Sequence, residues 1–118
     1  MSVSQIKSRT TEGVAVIYPG PYLNQLRGEI VERHCQELIG NGIRKIVVNF
    51  SETELINSIG ISILLGVIEA VNENHGSLVL CGLNDSNREL FEMLGLMSHV
   101  EVEQTEGDAL LKLNGELV

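Results

Sequence analysis

The stretch from Arg44 to Ala70, RKIVVNFSETELINSIGISILLGVIEA, constrains this chain more than any other. It reads as a buried strand, a polar loop and a helix. Lys45–Phe50 is a short apolar run rich in β-branched residues, as expected of a central strand covered on both faces. Ser51–Asn57 is polar enough to leave the core. From Ile59 to Val71 the chain is strongly apolar and free of proline. Ile59, Ile63, Val67 and Val71 recur at helical spacing, with Leu64, Leu65 and Ile68 alongside. Ser58 therefore stands at or just before a helix N-terminus, where backbone N–H groups lack partners and the helix dipole is positive.

The flanking segments complete an alternation of strands and helices. Met1–Thr11, with Val3 and Ile6 among polar residues, reads as a weak edge strand. Glu12-Gly13 marks a tight turn into a β-branched strand at Val14–Tyr18, which predicts a hairpin. Pro19-Gly20-Pro21 ends that strand, because proline cannot donate to a ladder. Asn24 is a suitable N-cap for a helix whose core face carries Leu26, Ile30, Val31, Cys35, Leu38 and Ile39, and Gly40-Asn41-Gly42 stops it. After the central helix ends at Asn72–Gly76, Ser77–Cys81 is another apolar strand. Strand, crossover helix and strand make a βαβ unit, expected to be parallel and right-handed. Asn84–Asn87 is a helix start, with Ser86 and Glu89 spaced as a capping box ahead of Leu90, Phe91 and Leu94, and Gly95 closes the helix. Val100–Glu103 reads as a brief strand and Thr105–Leu113 as a last helix, with Asp108 at the acid position of its cap. The expected fold is α/β, a mixed sheet packed against about four helices.

Length and charge set limits on function. The chain has 118 residues, enough for a single domain over 1–118 with a real core. Its net charge of −8, with lysines and arginines scattered, argues against direct nucleic-acid or anionic-membrane binding. No basic-then-apolar leader and no bilayer-length apolar run is visible, so the expectation is a cytoplasmic protein without membrane insertion. Cys35 and Cys81 fit no metal spacing and read as two buried thiols. His34, His75 and His99 fall in separate elements, which suits neither a triad nor a metal centre. Gly60-Ile61-Ser62 is the nearest approach to a nucleophile elbow, but it lacks the closing glycine and lies inside the helix. The expectation is no catalytic residue, no metal and no cofactor.

Ser58 is the residue with two readings. In one, Ser58 or Asn57 simply caps the helix. In the other, Ser58 accepts a phosphoryl group. That group would bring about −1.5 to −2 charges. A helix N-terminus tolerates such charge, so the fold survives while a partner docked over the same surface meets a hydrated anion.

Beyond these local signals, the segment Ile43–Leu83, the run LFEMLGL at Leu90–Leu96 and EQTEGDALLKL near the end resemble the STAS-domain anti-sigma factor antagonists of bacteria, of the sporulation and general-stress type. The family motif is an acid, the phosphorylated serine, a serine or threonine, and a glycine. Asn57-Ser58-Ile59-Gly60-Ile61-Ser62 stands in its place, with Ser58 on the phosphorylated position and Gly60 on the motif glycine. The resemblance implies a cycle. The unphosphorylated protein binds an anti-sigma factor that is also a serine kinase, which frees a sigma factor. The kinase then phosphorylates the serine and releases its antagonist, and a metal-dependent PP2C-type phosphatase restores it. The antagonist itself is no enzyme. The implied contact surface is Tyr22, Leu23 and Asn24 together with Asn57, Ser58, Ile59, Gly60, Ile61 and Ser62, within a wider segment at Ser51–Ser62.

Three positions depart from the family pattern. Asn57 is neutral where an aspartate is usual, Ile59 is bulky where a small hydroxylated residue is usual, and Gly20-Pro21-Tyr22-Leu23-Asn24 lacks both acids of a Gly-Glu-Leu/Ile-Asp turn. Asn57 and Ile59 favour an alternative, a constitutive interaction module of a signalling scaffold or transport accessory complex that is never phosphorylated. A small-ligand or nucleotide-binding domain and a hydrolase are the other readings, and the absent P-loop counts against the former.

Overall fold

The computed structural model describes residues 6–115. Val3, assigned to the first strand on sequence grounds, lies outside them. In chain order the elements are β1 (Lys7–Thr11), β2 (Val14–Tyr18), β3 (Tyr22–Leu23), α1 (Gln25–Gly40), β4 (Lys45–Asn49), β5 (Leu55–Ile56), α2 (Ser58–Glu73), β6 (Ser77–Cys81), α3 (Asp85–Met93), a 3-10 turn (Leu96–Ser98), β7 (Glu101–Glu103) and α4 (Glu106–Asn114).

The main sheet has strand order β1-β2-β4-β6-β7. Only β1 runs antiparallel to its neighbour. Lys7 pairs with Tyr18 and Thr11 with Val14 across a turn in which Glu12 and Gly13 both have positive φ, the geometry a two-residue hairpin requires. The β2–β4, β4–β6 and β6–β7 pairs are parallel.

Strand alternation divides the interior into two layers. Ile17, Ile46, Val48, Leu78 and Leu80 face α1 and α2 in the larger core, joined by Phe50 and Phe91, whose rings meet edge-on with centroids 6.3 Å apart. Val14, Val16, Val47, Val79 and Cys81 face the other way, against Ala109 of α4. This two-sided burial explains why the central strands read as continuous apolar runs. Both cysteines are free and buried.

Several expectations need correction. The segment Ser51–Asn57 leaves the core only in part: Ser51, Glu52, Glu54 and Leu55 are exposed, but Thr53 and Ile56 are buried, and Leu55–Ile56 forms β5, which pairs in parallel with β3 as Tyr22 with Leu55 and Leu23 with Ile56. Leu26 and Leu94 are exposed, because they lie in the first turn of α1 and just past α3, beyond the edge of the core. Ile59 starts the helical stripe, yet it too faces solvent for the same reason. The capping box at Ser86 does not form. Asn84 caps α3 instead, accepting from the Asn87 N–H at 2.8 Å, which leaves Ser86 inside the helix. The end of α2 falls within Asn72–Gly76 as expected, with His75 in the left-handed conformation.

Candidate functional site

The site grows from the junction of β5 and α2. Asn57 is the N-cap: its Oδ1 accepts from the Gly60 N–H at 2.8 Å, and its carbonyl takes the first helical bond from the Ile61 N–H at 3.0 Å. Ser58 is the first residue of α2 and is exposed. The capping task therefore falls to Asn57 alone, and the fold does not draw on the Ser58 hydroxyl for it. No acidic residue sits in the first turn of α2, so the positive end of this helix is uncompensated by side chains of its own.

The junction is tied to β3. The Asn57 N–H donates to the Leu23 carbonyl at 3.0 Å, and Asn57 Nδ2 donates to Tyr22 Oη at 3.3 Å. Glu54 and Leu55 N–H groups both donate to the Pro21 carbonyl. Gly60 is where the helix rides over this strand, since a β-carbon there would sit 2.4 Å from the Leu23 carbonyl oxygen. The motif glycine is thus a packing requirement.

The structure brings Tyr22, Asn24, Asn57, Ser58 and Ile59 to one end of the molecule, the end at which α1 and α2 both begin. Asn24 is the cap of α1, accepting from the Arg27 N–H at 3.0 Å. Tyr22, Leu55 and Ile59 are 43%, 62% and 49% exposed, which makes an apolar rim around Ser58. Leu23, Gly60 and Ile61 are interior, so the surface inferred from the sequence loses those three side chains. On the other side of Ser58, a groove of about 300 Å³ runs between α2 and the α3 end, lined by Ile61, Ser62, Leu65, Leu94 and Leu96. Sequence reasoning held Leu55 only within the wider Ser51–Ser62 segment and missed the Leu94–Leu96 wall, because Leu94 was assigned to the core.

The Ser51–Asn57 segment is held by polar bonds from several elements. Thr53 Oγ1 donates to the Gly20 carbonyl at 2.7 Å, and the side-chain amides of Asn84 and Asn87 each donate to the Glu54 carbonyl at 3.3 Å. Among the described residues no group of three or more His, Cys, Asp or Glu is placed to hold a metal ion. The histidines stay apart, with His34 bonded to Ser8 Oγ at 3.1 Å.

A small α/β sheet with a serine presented at a crossover-helix N-terminus defines the class. The chain belongs to the STAS domain family, whose model matches residues 5–109. It is 26% identical over 109 residues to the anti-sigma-B factor antagonist of Listeria monocytogenes, covering 92% of this chain and 95% of that protein. Its fold matches an anti-sigma factor antagonist from Mycobacterium paratuberculosis with a TM-score of 0.81 at 18% identity, covering 97% of this chain and 98% of the other. It also matches the Bacillus cell fate determinant SpoIIAA in its phosphorylated form, with a TM-score of 0.71 at 21% identity and coverage of 92% and 98%.

Proposed function

We propose that this protein is an anti-sigma factor antagonist, and that Ser58 is its phosphoacceptor. In this reading the unphosphorylated chain binds an anti-sigma factor with serine kinase activity through Tyr22, Leu55, Asn57, Ser58, Ile59 and Ser62, and so frees a sigma factor in the cytoplasm. Phosphorylation of Ser58 ends the complex, and a PP2C-type phosphatase reverses it.

The observation that supports this most is the division of labour between Asn57 and Ser58. Asn57 caps α2, while Ser58 lies exposed at its positive end. A phosphoryl group of about −1.5 to −2 charges is compatible with that end of the helix. It also sits among the exposed apolar side chains that a partner would cover. Desolvating such a group is costly, so the switch acts on binding while the fold persists.

A second reading keeps the same surface without the switch. The exposed Ile59 places a β-branched side chain directly after the acceptor, which favours a constitutive interaction module. Affinity capture from the native host, with wild type and Ser58→Glu as baits and intact mass on each, separates the two. A kinase-like anti-sigma factor recovered with wild type alone, with a bait fraction heavier by ~80 Da, supports the switch. The same partners on both baits and one unmodified mass leave the constitutive module.

A further inference from the structure

Glu106 opens α4, on the face of the sheet opposite α1 and α2, yet its carboxylate reaches the strand end from which the recognition segment departs. Its Oε1 accepts from Tyr18 Oη at 2.5 Å and from Asn49 Nδ2 at 2.9 Å, and its Oε2 accepts from Arg9. Asn49 is the last residue of β4 and only 6% exposed. The other side of its amide faces the loop, where Oδ1 accepts from the Ser51 N–H at 2.8 Å.

A carboxamide can be turned over, and what surrounds it decides which way it points. Turned over here, Asn49 would set its oxygen against the Glu106 carboxylate and its NH₂ against the Ser51 N–H, which are two repulsive contacts. The carboxylate thereby selects the atom that Ser51 meets. Gly82, just after β6, leaves the space for this link: a β-carbon there would lie 2.9 Å from both Asn49 Oδ1 and the Ser51 nitrogen. Three elements distant in sequence converge on one backbone N–H.

We infer that Glu106 is a positioning residue for the Ser51–Asn57 segment, acting through Asn49 on the Ser51 N–H to fix the path by which the chain leaves β4 toward Ser58. Further anchors of that segment come from the carbonyls of Gly20, Pro21 and Leu23 and from the side-chain amides of Asn84 and Asn87. The link through Glu106 ties the segment to α4 and to Tyr18 and Arg9 of the hairpin, alongside the exposed ion pair of Lys7 with Glu52 at 2.8 Å. Its consequence for binding rests on the proposed role of Ser58.

Amide hydrogen exchange on the full chain tests this without any partner. In Glu106→Ala the Ser51 amide loses about tenfold in protection, as for a hydrogen bond whose supporting group is removed, while Val67 and Val71 in the core stay within about twofold. Glu106→Gln retains an acceptor for Tyr18 and Asn49 and restores most of the protection. Unchanged exchange at Ser51, or an equal rise at every amide, overturns the inference. If Glu106→Ala does not fold, Asn49→Asp carries the same test. It keeps the acceptor for Ser51 but opposes two carboxylates, so protection of Ser51 falls at neutral pH, and unchanged protection overturns the inference. A separate arm measures affinity for the captured kinase, which drops several-fold in Glu106→Ala. A wild type that captures no such partner would defeat the proposed function and leave the exchange result to decide the positioning role.

Discussion

The carbonyl oxygen of Leu23 serves two neighbours at once: it accepts the Asn57 N–H at 3.0 Å, and it lies 2.4 Å from where a β-carbon on Gly60 would stand. One backbone atom thus fixes both the cap of α2 and the distance of its first turn from β3.

Gly60→Ala should consequently destabilise the fold by about 1–3 kcal/mol, as overpacking against backbone does. Gly66→Ala is the control. The nearest atom to its added carbon is the mobile Glu32 carboxylate at 4.0 Å, so the helix propensity gain of about 0.5–1 kcal/mol is realised. Urea denaturation of the two variants, compared with wild type, gives opposite signs.

Asn57→Ala removes the cap bond to Gly60 and should cost about 1 kcal/mol. Asn57→Asp keeps an acceptor and adds an anion at the positive end of α2, so it gains about 0.3–1 kcal/mol at low salt. It also gives up the exposed donor to Tyr22 at 3.3 Å, which contributes less. Thermal melts in low and high salt check both variants, and the gain in Asn57→Asp shrinks as salt rises.

Acid should act on the fold through Glu106. Burial disfavours its charge, but hydrogen bonds from Tyr18, Asn49 and Arg9 outweigh that, and its pKa lies below the usual 4.5. A depressed folded pKa means stability that is complete above the unfolded value and lost as pH falls through the folded one. Denaturation midpoints of wild type should therefore fall more steeply than those of Glu106→Gln below about pH 4.5.

The two thiols should be silent until the protein opens. Burial pushes Cys35 and Cys81 up to about 12, with Glu32 and Glu106 respectively adding to the effect. Thiolate at pH 8 is then scarcer than in the unfolded chain by about a thousandfold, before access is counted. A thiol reagent should label neither cysteine in the native protein and both in denaturant.

What could be read from the chain depended on how local each cause was. The strand at Lys45, the helix from Ser58, the Glu12-Gly13 hairpin and the Asn24 cap are written in neighbouring residues, and they stand where expected. The pairing of Tyr22–Leu23 with Leu55–Ile56 is not, because two residues carry no period and the partners lie on separate loops. Thr53 looked like a solvent residue, and its burial depends on a carbonyl at Gly20 that spacing could not bring near. Ser58 stood out because a strand-to-helix junction marks it locally. Asn49 and Glu106 did not, since their relation exists only once α4 has folded across the sheet.

The short β3–β5 ladder carries a constraint on how this surface can diversify. It clamps two connections to each other residue for residue, so a one-residue slip within the ladder would shift Tyr22 against Leu55 and exchange an outward side chain for an inward one. Substitution at Tyr22, Leu55 and Ile59 leaves that register untouched, so this surface can take on a new partner through side chains at fixed positions without rebuilding the junction beneath them.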